Sequence, residues 1–289
     1  MLFGDGHIAF ADTKTGQPLP MASNSILADE GVINAIAYAP NGKYFVTVGM
    51  LGNEQKCVCK WDAKRRSIIE VMKVPSLDAV AVAISSDSRV ILSAGKDKRI
   101  CRWDAITCKP IEGPVIGHSC TITALAYSPD NTQFASGDAS GIIKRWDAAT
   151  GKLINNVQAH VEPVRSLTYS PTGHETLSAS KSGMSRIDTA TNRLIGPLEY
   201  LEGDCITAQY ANRGKEIHYI VEDEVSNQTL YRWHIPTRRS IGKVRLGPKE
   251  HWFVRGSPSG RLLMAIPQGK DYAVEFWLHN TQPVEPMEF

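Results

Sequence analysis

The chain has 289 residues, 42% hydrophobic and 21% charged, with a net charge of +2. This is an ordinary globular balance, and so small a net charge gives the molecule as a whole no pull toward nucleic acid or an anionic membrane. No apolar run approaches the roughly 18 residues of a membrane-spanning helix.

The opening residues Met1–Gly6 lack a basic stretch followed by an apolar core, so no secretory leader is expected. The six cysteines, Cys57, Cys59, Cys101, Cys108, Cys120 and Cys205, have no framework spacing. Free thiols in a reducing, cytoplasmic setting are the expectation.

In chain order, the N-terminal residues 5–12 read as the third strand of a repeat closing at Ala11-Asp12, with a turn over Thr13–Gly16. Complete repeats follow. Their first strands are expected at Val32–Tyr38, Ala79–Ile84, Ile122–Tyr127, Val164–Tyr169, Ile206–Tyr210 and Trp252–Arg255. A turn follows most of them, written Pro40-Asn41-Gly42, Pro129-Asp130-Asn131, Pro171-Thr172-Gly173 and Pro258-Ser259-Gly260. Proline presets the turn dihedral and Gly or Asn tolerates the left-handed one. Second strands are expected at Tyr44–Val48, Val90–Ala94, Gln133–Ser136, Glu175–Ala179, Glu216–Val221 and Leu262–Ile266, and a fourth strand at Leu153–Val157. The longest loops between second and third strands are expected at Gly49–Lys56 and Glu222–Gln228.

The third strand of each repeat ends on one recurring dipeptide. It stands as Trp61-Asp62, Trp103-Asp104 and Trp146-Asp147, then worn to Ile187-Asp188, Trp233-His234 and Trp277-Leu278, at steps of 41 to 46 residues. That period with Trp-Asp is the mark of a propeller of four-stranded blades. One such sheet cannot bury both faces alone, so it must stack on its like. The fold expected is all-β, a single domain over 1–289, with units 1–20 (partial), 21–72, 73–115, 116–157, 158–199, 200–244 and 245–289. Three readings of the ends stand open: a seven-bladed ring with one half blade, a fragment of a longer protein, or a six-bladed ring with an extra hairpin.

These residues resemble the WD40 repeat family over essentially the whole chain. The third unit is the clearest copy, with Gly117-His118, Ser128-Pro129-Asp130, Ser136-Gly137 and Trp146-Asp147. The resemblance implies a WD40-type β-propeller of antiparallel blades, six complete repeats plus the N-terminal partial one. It also implies a hydrogen-bonded tetrad of His, Ser or Thr, Asp and Trp within a blade. No unit keeps all four. The second has Ser93, Asp97 and Trp103 but Pro75 for His; the third has His118, Ser136 and Trp146 but Ser140 for Asp; the fourth has His160 and Ser178 but Ile187 for Trp.

The chain carries no catalytic constellation, no phosphate-cradling glycine loop and no zinc-spaced Cys/His pairs. Neither a metal nor a cofactor is expected. Cys57 and Cys59 share one strand face and read as buried thiols, while five of the six tryptophans occupy the repeat position. One row is unusual: Lys60, Arg102, Arg145, Arg186 and Arg232 each stand just before the Trp position, where an aliphatic residue is the rule. The row reads as structural pairing or, as the alternative, as a ring of cations for an anion.

The function expected is a non-catalytic scaffold that docks a peptide or domain of another protein on one rim, without membrane or nucleic acid. The rim candidates by position are Asp29, Glu30, Asp78, Lys96, Asp97, Cys120, Thr121, Asp138, Glu162, Lys181, Glu222, Asp223 and Glu224, with Trp252 near the channel. The alternatives are a sensor or regulatory array cut from a larger signalling protein, and an enzyme working in the channel, for which Asn34, Thr123, Arg165, Thr207 and Arg255 are poor ligand material.

Overall fold

A computed structural model describes residues 10–11, 18–19, 32–51, 55–73, 79–195, 203–248, 253–256, 262–266 and 275–278. Among them the chain is all-β, broken by one short 3-10 turn at Asn212–Gly214. Strands β1 (Phe10–Ala11) and β2 (Pro18–Leu19) pair first. A sheet follows of β3 (Val32–Tyr38), β4 (Tyr44–Leu51), β5 (Gln55–Asp62) and β6 (Ser67–Lys73), in that order. The next is β7 (Ala79–Ile84), β8 (Val90–Gly95), β9 (Arg99–Asp104) and β10 (Val115–Ile116). Strands β11 (Ile122–Tyr127), β12 (Gln133–Asp138), β13 (Ile142–Asp147) and β14 (Leu153–Gln158) make a third sheet. A three-stranded sheet holds β15 (Val164–Tyr169), β16 (Glu175–Ser180) and β17 (Gly183–Asp188). Then come β18 (Asp204–Ala211), β19 (Glu216–Glu222), β20 (Asn227–His234) and β21 (Arg239–Pro248), and finally β22 (Phe253–Gly256), β23 (Leu262–Ile266) and β24 (Glu275–Leu278). Each sheet runs through its strands in chain order, the meander of WD40-type propeller blades.

By contact density the chain forms two compact units, residues 1–134 with 146–153, and residues 135–145 with 154–289. In the first, Val46, Val48, Val58 and Met72 of one sheet pack with Ala79, Ile91 and Trp103 of the next. In the second, Leu177 and Ala179 pack with Cys205, Ala208, Ile217, Tyr219 and Trp233. Non-directional burial of these side chains is the main force joining neighbouring sheets.

Local chemistry explains the turns. At the first turn the backbone closes from residue i+3 to i, as in Gly42 N to Ala39 O at 2.9 Å and Asn131 N to Ser128 O at 3.1 Å. The left-handed position is held by Gly42, Ser88, Asn131 and Gly173. After the Trp position the aspartate caps the next turn. Asp104 Oδ1 accepts from Thr107 N at 2.6 Å and Thr107 Oγ1 at 2.8 Å. Asp147 does the same with Thr150, and Asp188 with Thr191. These bonds, first among the causes, hold all three carboxyls below the usual aspartate range.

Four of the first strands share a β-bulge. Register shifts fall between Ile33 and Ala35, Ala79 and Ala81, Val164 and Ser166, and Cys205 and Thr207. A bulge re-aims the extra residue's side chain. Asn34 Nδ2 donates to Ala79 O of the next sheet at 2.8 Å, and Arg165 donates to Cys205 O at 3.3 Å.

Two expected loops prove to be hairpin. Strand β4 runs on to Leu51 and β5 begins at Gln55, so Gly49–Lys56 is mostly ladder, paired as Gly49↔Cys57 and Met50↔Lys56. Likewise β19 ends at Glu222 and β20 begins at Asn227. Polar and glycine residues looked like loop, but neighbouring ladder bonds override weak strand propensity.

Candidate functional site

Trp103 Nε1 donates to Ser93 Oγ at 2.9 Å, a surviving part of the tetrad. His160 keeps Ser178, Nε2 to Oγ at 2.8 Å, although Ile187 replaces the indole. Trp61 Nε1 donates to Thr47 Oγ1 at 2.9 Å, a pair the sequence reading did not pick out. The signal was there: Thr47 holds the place in its second strand that Ser93 holds in the next. His118 is buried with its ring 5.9 Å from that of Trp146. Gly117 is required beside it, because a Cβ there would lie 2.7 Å from Trp146 Cη2. Each of these contacts lies within a single repeat.

The row of cations is structural as well. Lys60 Nζ donates to Ala105 O and lies 4.8 Å from the centre of the Tyr44 ring. Arg102 is buried and donates to Ala148 O, Ala149 O and Glu112 Oε2 at 3.1, 2.9 and 2.9 Å. Arg145 Nε donates to Asn155 Oδ1 at 3.0 Å. Arg186 grips Glu175 through Nε at 2.9 Å and Nη2 at 2.7 Å, and Tyr210 from the next sheet donates to the same carboxylate at 2.9 Å. Arg232 meets Glu216 Oε2 at 3.2 Å, where His218 Nε2 also binds at 3.0 Å. Each cation has a hydrogen-bond partner, and three of them, Arg102, Arg186 and Arg232, meet a carboxylate. The carbonyl partners belong to the adjoining repeat, while Asn155 and the carboxylates of Glu112, Glu175 and Glu216 belong to the cation's own.

The thiols behave as expected. Cys57 and Cys59 are buried with Sγ atoms 3.3 Å apart. Bonding to Cys57, then burial, pushes the Cys59 thiol up; burial raises Cys205 to about 12. All six cysteines are free, and no metal-ligand cluster occurs among the described residues.

The rim candidates divide. In the first unit, Lys96 is exposed and Asp97 half-buried on the β8–β9 turn, where Asp97 Oδ1 accepts from Arg99 N at 3.3 Å. Cys120 and Thr121 are half-buried ahead of β11. Asp29, Glu30, Asp78 and Trp252 lie outside the described residues. Between the first two sheets a cleft of about 450 Å³ is lined by Tyr44, Lys60, Asp87, Arg89 and Ile106 among others.

In the second unit Asp138 is fully buried. Its Oδ1 accepts from Ser140 N, Ser140 Oγ and Ile142 N at 2.9, 2.6 and 3.2 Å, so it folds a turn and offers no contact surface. Glu162 is half-buried beside Val161, which is 85% exposed. Lys181 is exposed, and its Nζ lies 3.7 Å from Asp204 Oδ2; Arg165 Nη2 approaches the same oxygen at 3.8 Å. Two cations from separate elements thus share one half-exposed carboxylate. Such long, hydrated pairs contribute about 0–1 kcal/mol and are readily re-partnered. Glu222 accepts from buried Gln228 at 3.0 Å, and Asp223 is taken by its own turn, accepting from Asn227 N at 2.7 Å. Glu224 stays exposed. Arg165 and Asp204 were missing from the rim expected by position. Asp204 was findable, since in sequence it stands two residues before the bulge residue Ile206, as Asp78 stands before Val80.

Comparison with known proteins agrees with this architecture. The family model "WD domain, G-beta repeat" matches residues 72–104 and 111–147. The B-type cell cycle switch protein ccs52A of Medicago truncatula is 23% identical over 87% of this chain and 52% of its own length. Protein FIZZY-RELATED 2 of Arabidopsis thaliana is 22% identical over 87% of this chain and 50% of its own. The small ribosomal subunit protein RACK1 of Neurospora crassa is 32% identical over 34% of this chain and 31% of its own. The chain spans about half or less of the length of these relatives.

Proposed function

From the premise that this chain is built of WD40 repeats, we propose that it is a non-catalytic scaffold that docks a peptide or domain edge of another protein on its rim. The observation that carries this reading is the Arg165–Asp204–Lys181 cluster. The cations of the row are bonded within and between sheets, whereas these three groups, 37%, 40% and 54% exposed, meet only in weak mutual pairs. A partner that supplies a carboxylate to the cations, or a cation to Asp204, replaces a loose contact with a desolvated one. Such mixed charge suits a moderate-affinity interface. Relatives named as a cell cycle switch protein and a ribosomal subunit protein support a regulatory or assembly role over an enzymatic one.

The test is affinity capture with the purified chain, followed by mass spectrometry and quantitative binding of the captured proteins. Lys181→Glu should weaken the principal partner at least tenfold at an unchanged melting temperature. An identical partner set and affinity for that variant would remove the reading.

A further inference from the structure

Cys57 and Cys59 stand two residues apart on β5, so their side chains leave the same face of the strand. Both residues are buried, and their sulfurs lie 3.3 Å apart. The ladder fixes the backbone beneath them from both sides. Cys57 pairs with Gly49 of β4 and Lys73 of β6, and Cys59 with Thr47 and Val71 of the same two strands. The Thr47 hydroxyl hydrogen-bonds the Cys59 sulfur and so orients it. Ile33, Phe45 and Trp61 are the other buried members of their cluster. The docking role proposed above makes no use of this pair.

We propose that Cys57 and Cys59 form a bidentate site for a trivalent arsenical carrying one carbon substituent. Two As–S bonds form, and the two As–OH bonds of the incoming RAs(OH)2 break. The two thiol protons leave with the hydroxyls as two waters. Arsenic and sulfur keep their oxidation states, so the step takes neither oxidant nor reductant.

The sulfur separation and the ladder select this ligand. Residues two apart on an extended strand are about 6.6 Å apart at Cα. That is near the limit a disulfide spans, and its sulfurs must close to about 2.0 Å, so the strand would have to buckle against two neighbours. A tetrahedral zinc ion spreads two thiolates to about 3.8 Å and takes four ligands. Among the described residues no group of three or more Cys, His, Asp or Glu side chains is placed to hold an ion. A soft ion such as copper(I), bound by two thiolates alone, is linear and spreads them further still. Arsenic(III) is pyramidal, with bond angles near a right angle. It bridges two sulfurs at the separation already present and needs no third thiol. The apolar neighbours suit a small alkyl substituent. Access comes from the hairpin end, since Cys57 is two residues from Gln55, where β5 begins, and its partner Gly49 has no side chain. Strand ends open more readily than strand centres.

The experiment treats the folded full chain with one equivalent of methylarsonous acid and reads its intact mass. One adduct should form, and 2,3-dimercaptopropanol should remove it. After unfolding, the peptide holding Cys57 and Cys59 should be the one protected from iodoacetamide. Cys57→Ser and Cys59→Ser should each weaken binding about a hundredfold, the order of gain that a second linked contact gives. Cys101→Ser and Cys108→Ser should bind as the parent does. If a serine variant at position 57 or 59 melts below the parent, the protection pattern on the parent chain decides. The proposal is overturned by no adduct, by protection of other cysteines instead, or by equal binding of a folded Cys57→Ser variant. Equal protection of the same peptide by one equivalent of zinc would overturn it too.

Discussion

Trp103 Nε1 and Ser93 Oγ, 2.9 Å apart on adjacent strands and both buried, form a hydrogen bond with no competing water. Removing the hydroxyl leaves a buried indole N–H unsatisfied, which costs about 1–3 kcal/mol. Ser93→Ala should therefore lower the stability measured by urea unfolding by that amount. Ser93→Thr should lose much less, because Thr47 does the same task for Trp61.

His160 makes stability depend on pH. Burial pushes its pKa from about 6.5 down to about 4, with Ser178 on Nε2 and Ser180 on Nδ1. Its folded-state pKa is thus below the unfolded one, so the unfolded chain takes the proton first. The contribution is fully present above about pH 6.5 and is lost as the pH falls toward 4, by at most about 3 kcal/mol. Urea unfolding at pH 7.5, 6 and 4.5 should show this slope, and His160→Gln should flatten it.

The grip of Arg186 on Glu175 is shared with Tyr210, whose hydroxyl is raised by burial and then by that carboxylate. Arg186→Met strands a partly buried carboxylate, and a loss of about 1–3 kcal/mol is expected, short of the 3–5 of a fully buried pair because both groups keep some solvent. Adding Glu175→Leu should recover part of it. A double variant no more stable than the single one would contradict this account.

Two glycines in the left-handed region make a matched pair. Gly42, with φ of +69°, has nothing within 4 Å of an added Cβ, so Gly42→Ala should cost about 1–2 kcal/mol from backbone conformation alone. Gly141, with φ of +83°, would place that carbon 2.0 Å from His160 O, which must move. Thermal melts should show Gly141→Ala losing far more than Gly42→Ala.

Much of the fold was legible from residues alone. The dipeptide period placed Trp61, Trp103 and Trp146, and most first strands began where their apolar runs did, because burial and ladder bonding act on the same residues. The hairpin ends were not legible: Gly49 and Lys56 look like loop until the register supplies their partners. The cation row was visible as an oddity, but its partners depend on which turn carbonyl comes within reach, and that is a tertiary fact. Asp138 was read as rim because it lies at a strand end, yet Ser140 and Ile142 fold the chain over it. Arg165 was judged only as a channel ligand, since a bulge that re-aims a side chain leaves no trace in alternating hydrophobicity.

The bulges at Asn34 and Arg165 give neighbouring sheets a polarity. Each sends a donor forward to the carbonyl of Ala79 or Cys205. Trimming such a chain from its two ends is therefore unequal. Loss of a leading sheet bares a carbonyl, which solvent hydrates easily, whereas loss of a trailing one leaves an amide or a guanidinium reaching for an acceptor that has gone.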